Sequence, residues 1–169
     1  MTRDEFCASI WQLMVERYTQ HPDLQNICLR MQDDHGVDVV LALFLDFADR
    51  ADLSPREEDR KTMEVAIAEW RDHTVMPLRQ VRRLMKTKHL TEEESALRNE
   101  IKKLELRAEH LELDRIIREF SKFGTAATEH DSAERYLREC GVPAELKDQF
   151  FAPSGEASKR ETPPLDGAG

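Results

Sequence analysis

The sequence predicts an all-α fold, a single-domain helical bundle of about five to seven helices around a central apolar helix. Apolar residues recur at intervals of three and four along most of the chain, and helix-capping signals precede several of these stretches. Only 6 of the 169 residues are glycine, and no alternating strand pattern occurs. Together these features favour helices throughout.

The first two helices are defined by their end signals. Thr2 and Glu5 form a capping box, in which each side chain binds the other's backbone N–H. His21 and Pro22 end this helix, and a second helix runs from near Pro22 to Gly36, which suits a left-handed cap. The apolar stripes are Phe6, Ile10, Leu13, Met14 and Tyr18 in the first helix and Leu24, Ile27, Cys28 and Met31 in the second.

The third helix is apolar on nearly every side. Asp38 stands where this helix needs its N-cap, and residues 39–51 follow with the run Val39 to Leu45. A helix of this kind has to be surrounded by others. We therefore expect it at the centre of the bundle.

Two longer helices follow. Ser54, Pro55 and Glu57 indicate a start, with Ser54 as the N-cap, and helical spacing continues to Lys86. Pro77 lies inside this stretch and has no N–H to donate to His73, so we expect a kink there. Thr91 and Glu94 then open a helix that extends to about Phe123, before Gly124.

The end of the chain differs in composition from the rest. The helical bundle is predicted over residues 4–124, followed by two short helices in 125–151. Residues 152–169 are rich in Pro, Ser, Gly and charged residues and are predicted to form a disordered tail.

Composition restricts the class of protein. The formal charge of −9 argues against bulk attraction to nucleic acid or to an anionic membrane. The run Val39 to Leu45 is far shorter than the ~20 apolar residues of a membrane-spanning helix. The three cysteines form no CxxC pair, and the first residues lack a signal-peptide core, so we expect a cytoplasmic protein without a cofactor or metal.

A cluster of polar residues precedes the central helix. Asp33, His35 and Asp38 are the candidate site, since carboxylates with a histidine could bind a divalent metal or act as an acid and base. A purely structural role also explains these residues, since they end one helix and N-cap the next. We prefer that interpretation. No catalytic residue is predicted.

A basic stripe forms the second candidate site, and it consists of Arg79, Arg82, Arg83 and Lys86. Their spacing places four cations on one helix face, with Leu78, Val81 and Met85 opposite. From Pro77 to Leu90 there are five Lys/Arg and no acid. The stripe could bind a phosphate, RNA or an acidic partner. Alternatively it is solvated, or paired with Asp38, Asp46 and Asp49.

The long helix after Thr91 carries a short coiled-coil-like seam. Its members are Leu97, Ile101, Leu104, Ala108 and Leu111. Two heptads are too few for an autonomous coiled coil, so packing on the protein's own bundle is the preferred interpretation. A dimer or partner interface is the alternative, including a homo-oligomer through residues 92–123.

The order of several motifs resembles a known family. The most specific pieces are Gln32-Asp33-x-x-Gly36-x-Asp38-Val39 and Pro77-Leu78-Arg79. Over about Phe6 to Leu113 the chain is similar to a proteobacterial family of short proteins known as a domain of unknown function, the 2390 type. The resemblance implies a helical protein of unassigned activity and carries over no catalytic residues.

The preferred function is a non-enzymatic interaction module that presents the basic stripe, together with part of the helix over residues 92–123, to a protein partner. Two alternatives remain open. The same stripe could bind RNA or a phosphorylated ligand, or the region of Asp33, His35 and Asp38 could form a metal-dependent or acid/base active site.

Overall fold

The all-α fold is confirmed. The computed structural model describes residues 1–86, 89–123 and 130–153, and no strand occurs in these ranges. A π-helical turn, Arg71–Val75, joins two helices into one continuous element, so the described residues form seven continuous helices. The α-helices are α1 (Arg3–Gln20), α2 (Leu24–His35), α3 (Val39–Arg50), α4 (Glu57–Trp70), α5 (Met76–Lys86), α6 (Glu92–Phe120), α7 (Ser132–Glu139) and α8 (Ala144–Phe151).

Three predicted N-caps and one predicted C-cap are confirmed at atomic detail. Thr2 with Glu5 and Thr91 with Glu94 form complete capping boxes at α1 and α6. The Asp38 carboxylate accepts a hydrogen bond from the Leu41 N–H at 3.0 Å. Gly36 ends α2 with φ +65°, in the left-handed region that favours glycine.

Helix α3 lies at the centre of the core, as predicted. Its residues 41–46 are all buried, and it packs against α1, α2, α6 and α7. The rings of Phe6, Phe44 and Phe120 join α1, α3 and α6, with centroid separations of 5.4, 6.0 and 5.1 Å. Burial among the surrounding helices therefore explains the apolar composition of α3, as the sequence predicts.

The two short C-terminal helices contribute to the same core. Helix α7 packs on α3, and α8 packs on α2. Tyr136, Leu137, Leu146 and Phe150 are buried within the cluster that α1, α2 and α3 form. Gly124 and all of the predicted tail after Pro153 lie outside the described residues.

The predicted N-cap at Ser54 is wrong. Helix α4 begins at Glu57, and its N-cap is Arg56, whose side chain makes no capping bond. Ser54 is 4 % exposed, and its hydroxyl has no hydrogen-bond partner. Because the chain stays extended through Arg56 (ψ 160°), the serine lies too early to reach the free N–H groups of the first turn.

The irregularity expected at Pro77 takes the form of the π-helical turn immediately before it. The N–H of Met76 donates to the carbonyl of Arg71, five residues earlier. The helix does not end at the proline, which is the second residue of α5. A wider turn here accommodates a residue that lacks an N–H donor, and such turns are common at functional sites.

None of the helices formed by the described residues is long and apolar enough to cross a membrane.

Candidate functional site

Two of the four residues of the basic stripe, Arg79 and Arg82, face the neighbouring helix α6. Arg79 is 8 % exposed, and its Nε donates to Glu105 Oε1 on α6 at 3.0 Å. The same guanidinium reaches Glu109 Oε1 at 2.6 Å, and Arg82 also binds Glu105. Arg79 and Arg82 therefore fasten α5 to α6 by buried and half-buried ion pairs.

Arg83 connects the two candidate sites that the sequence suggested. Its guanidinium forms an ion pair with Asp33 at the end of α2, and both side chains are about 40 % exposed. Lys86 is exposed. The interpretation that the stripe is paired with Asp38, Asp46 and Asp49 is wrong, because the stripe pairs with other acids.

The three acids of that alternative have other partners. Asp46 is bound by Arg17 and Arg50, and Asp49 accepts from Ser132 and from the Ala133 N–H. Asp38 caps α3, with Arg71 as its nearest cation. The acids that bind Arg79 and Arg82 lie on α6, and the acid that binds Arg83 lies at the end of α2.

The neighbouring apolar residues of α5 point outward. Val81 is 46 % exposed and Leu84 is 59 % exposed, although both belong to the apolar side of this helix. Leu78 and Met85 are half-buried. Ion pairs with α6 thus determine the buried face of α5, because an arginine that leaves water has to find a carboxylate.

A cavity lies where the α2–α3 turn, the π-helical turn and α6 meet. It has a volume of about 160 Å³, and its polar lining comprises Gln32, Asp38, Arg71, Asp72, Arg79 and Glu112. Val37, Val39, Val40 and Val75 form its apolar wall. Of the predicted polar cluster, Asp38 alone belongs to this lining, since Asp33 is engaged with Arg83 and the half-buried His35 is the last residue of α2.

Two buried carboxyl groups in this cavity interact with each other. Asp38 is 5 % exposed and Glu112 is 1 % exposed, and a side-chain hydrogen bond joins them, whereas no other residue donates to Asp38 Oδ2 or Glu112 Oε1. Arg71 Nη1 lies 3.8 Å from Asp38 Oδ2, too far for a good hydrogen bond. Burial, and secondarily the Asp38 charge, raises the pKa of Glu112 to about 10.

Sequence reasoning missed the acidic side of this site. Glu105, Glu109 and Glu112 recur on α6 at intervals of four and three, which matches the spacing of the basic stripe. That complementary pattern was the available signal. Desolvation is the main cause that raises the pKa of Glu109, whereas the guanidinium groups of Arg82 and Arg79 outweigh burial and lower the pKa of Glu105.

The predicted seam on α6 is divided between the core and the surface. Ala108 is buried and Ile101 is half-buried. Leu97, Leu104 and Leu111, which we call the leucine line, are 51, 51 and 42 % exposed. Packing on the protein's own bundle therefore covers only one edge of the seam.

No group of three or more His, Cys, Asp or Glu side chains within the described ranges is arranged to hold a metal ion.

Residues 9–116 match the family described as "Protein of unknown function (DUF2390)", which covers more than half of the chain. The chain belongs to this family. No curated protein and no solved structure matches it.

The DUF2390 match encloses the whole site. The cavity lining, the basic stripe and the acids of α6 all lie within residues 9–116. Helices α7 and α8 lie beyond the matched range, although Tyr136 of α7 accepts a hydrogen bond from the Asp38 N–H at 2.9 Å. The resemblance inferred from the motifs is thus confirmed, and the family's description assigns no activity.

Proposed function

We propose that this chain is a protein-interaction module and that it binds through the leucine line of α6. The observation that carries the proposal is the repeat itself: three leucines at seven-residue intervals are each 42 to 51 % exposed on one side of a long helix. Seven-residue spacing is the pattern by which one helix packs on another. Because α6 is already folded on the bundle, two heptads suffice here, whereas an isolated helix would need more.

The internal pairing of the basic stripe supports this choice of surface. Arg79 and Arg82 are held by Glu105, so the guanidinium groups have little capacity left for an external ligand. Their role in the proposal is to keep α5 and α6 together as one rigid support. Binding of RNA or a phosphorylated ligand through the stripe would require these pairs to break, which disfavours that alternative.

An acid/base or metal-dependent enzyme has less support than an interaction module. Of the three residues that such an active site would use, Asp33 is paired with Arg83 and Asp38 caps α3. His35 lies outside the lining of the cavity that contains Asp38. The three side chains therefore do not converge on one position where a substrate could react.

The partner that fits the leucine line is an amphipathic helix, and a second copy of α6 has the required charges. Glu93 and Glu100 flank the leucine line in its first half, and Arg107 and Arg118 flank it in the second. All four side chains are exposed. An antiparallel second copy would bring Glu100 near Arg107 and Glu93 near Arg118, whereas a parallel copy would oppose like charges.

The proposed pairing has two-fold symmetry with its axis at Leu104. Leu104 would then meet its own counterpart, and Leu97 would meet Leu111 of the other copy. The buried area is small, so we expect a reversible association in the cytoplasm rather than a permanent one.

Single cysteine substitutions test this geometry. Leu104→Cys should form a disulfide-linked dimer under mild oxidation, because two copies meet at this position. Leu97→Cys alone should not cross-link, but it should do so when mixed with Leu111→Cys. The measurement is the band at twice the 19.7 kDa chain mass in non-reducing electrophoresis, with the wild-type chain as the baseline for Cys7, Cys28 and Cys140.

Other cross-linking patterns contradict the proposal. Equal cross-linking of all three single variants would indicate parallel pairing. Absence of cross-linking above the wild-type baseline, at high protein concentration and with native circular dichroism, would remove self-association through this line.

A further inference from the structure

A second cavity lies between α1 and the C-terminal end of α3, outside the site described above. Its volume is about 340 Å³, and Phe6, Leu13, Phe47 and Ala51 line it with apolar and aromatic atoms. Leu13, Phe47 and Ala51 are half-buried, so the cavity opens to solvent as a groove. We call it the Phe47 groove. Half-buried apolar side chains around an open groove indicate a surface that a further segment can cover.

A cation stands at the rim of the Phe47 groove. Arg50 belongs to the lining, and its side chain is 50 % exposed. Arg50 Nε binds Asp46 at 3.1 Å, but among the described residues no acid contacts its Nη atoms. Asp52, the acid of the lining, has an 85 % exposed carboxylate that lies 3.6 Å from His130 Nδ1. The groove therefore combines an apolar floor with a guanidinium group that can bind a carboxylate.

The described part of the chain ends close to this groove. The guanidinium carbon of Arg17 lies 5.7 Å from the Phe47 ring centroid and 5.0 Å from the Phe150 ring centroid, so α8 ends near Phe47. The chain leaves α8 at Ala152 with φ −55° and ψ 138°, close to the polyproline II values. Residues 154–169 follow and lie outside the described residues. The segment that they form therefore starts beside the groove.

The sequence of this segment contains a motif that fits the groove. Pro163-Pro164-Leu165 is its most apolar stretch, and Asp166 follows directly. Consecutive prolines favour the polyproline II conformation, which aromatic-lined grooves recognise at a low cost in entropy. Leu165 is twelve residues beyond Pro153, and a chain of that length spans up to ~40 Å. The motif can therefore reach the groove, and it places an acid next to its leucine.

We propose that the Phe47 groove binds this chain's own segment 163–166. Pro163 to Leu165 pack on Phe47 and Leu13, and the Asp166 carboxylate accepts hydrogen bonds from the Nη atoms of Arg50. Such binding orders only a short motif, which agrees with the polar composition of the rest of residues 152–169. No residue of the groove belongs to α6, so this proposal and the leucine line can fail independently.

NMR of the isotope-labelled full chain tests the contact. In the wild type the Asp166 amide should have an order parameter above ~0.6, and Leu165→Asp should lower it to the range of a flexible chain. The same substitution should shift the amide signals of Leu13 and Ala51, because the groove loses its occupant. Ala157→Asp introduces the same side chain elsewhere in the segment and is the matched control, which should change neither quantity.

Arg50→Gln tests the charged half of the contact. It should also lower the order parameter of the Asp166 amide, because the carboxylate loses its cation. Arg17 still neutralises Asp46 in this variant, so its circular dichroism should remain native. Arg56→Gln, at a 58 % exposed arginine outside the groove, is the matched control and should leave Asp166 ordered.

Three results would each overturn the proposal. The first is an Asp166 amide that is already flexible in the wild type, which would leave the groove to another protein or to solvent. The second is an Asp166 amide that stays ordered in both Leu165→Asp and Arg50→Gln. The third is order that increases with protein concentration, because it would assign the groove to the same segment of a second copy.

Discussion

Arg79 of α5 and Glu105 of α6 form a buried ion pair, with Arg79 Nε 3.0 Å from Glu105 Oε1. Glu105 also binds Arg82, so one carboxylate neutralises two of the four cations in the basic stripe. This arrangement turns Arg79 and Arg82 toward α6, while Arg83 and Lys86 remain partly or fully exposed. It also leaves the leucine line on the outside.

Removing the shared carboxylate should destabilise the protein. We expect Glu105→Gln to lower the free energy of unfolding by about 3 kcal/mol, because in this largely buried setting Arg82 would lose its counter-charge and Arg79 would keep only Glu109. Urea unfolding followed by circular dichroism measures the change. Asp33→Asn is the matched control: its ion pair with Arg83 is about 40 % exposed on both sides, so the loss should stay below ~1 kcal/mol. Equal losses would contradict the assigned role of Glu105.

Charge reversal within the stripe should separate packing from partner binding. Arg82→Glu would place an acid beside Glu105 and should lower the melting temperature. Lys86→Glu lies on the same stripe at an exposed position and should leave stability unchanged. If Lys86→Glu also leaves association unchanged, the stripe is not the contact surface. A loss of association with full stability would return the stripe to consideration.

The pH dependence of stability should reveal Glu112. Its pKa is raised by burial to about 10 in the folded chain, above its ordinary value of 4.5. The folded state therefore holds a proton that the unfolded state releases above that ordinary value, so Glu112 lowers stability as the pH rises through this window. The charged groups around Glu112 and Asp38 are Glu64, Arg71, Asp72, Arg79 and Glu109.

Glu112→Gln isolates this contribution. The variant should lose less stability than the wild type between neutral and alkaline pH, as measured by urea unfolding at several pH values. If the free energy of unfolding changes with pH in the same way in the wild type and in Glu112→Gln, Glu112 does not hold the proton.

Gly36 should be replaceable at a modest cost. It has φ +65°, and an added Cβ would meet no atom within 4 Å, so the penalty of Gly36→Ala is limited to the left-handed backbone, about 1 kcal/mol. Gly141, with φ +73° and equally open surroundings, is the matched position. Similar losses in thermal unfolding are expected at both. A much larger loss at Gly36 would indicate that the α2–α3 turn tolerates no side chain there.

Local signals were sufficient for most of the fold. Thr2 with Glu5, Asp38, and Thr91 with Glu94 start helices because their side chains satisfy free N–H groups within a few residues. The central position of α3 followed from its apolar composition. The prediction of an N-cap at Ser54 failed because serine also occurs in extended segments. Its distance from the first turn decides whether it caps the helix.

The candidate site depends on contacts between segments that are distant in sequence, and a local sequence pattern indicates such contacts only weakly. Val81 and Leu84 are apolar, so periodicity alone would bury them, yet the pairing of Arg79 with Glu105 determines the orientation of α5. Glu112 looked like any other acid on a charged helix. Its burial follows from the packing of α6 against α3 and α4, which no local pattern encodes.

The most direct test of the leucine line is sedimentation-velocity ultracentrifugation of the wild type, Leu104→Glu and Leu106→Glu. Leu106 is 53 % exposed on the same helix, but about 160° around the axis from Leu104, so it controls for the loss of an exposed leucine. The account predicts that the wild type and Leu106→Glu associate as the concentration rises, while Leu104→Glu remains at the 19.7 kDa of a single chain. If all three chains behave alike, the leucine line is not the surface through which this protein associates.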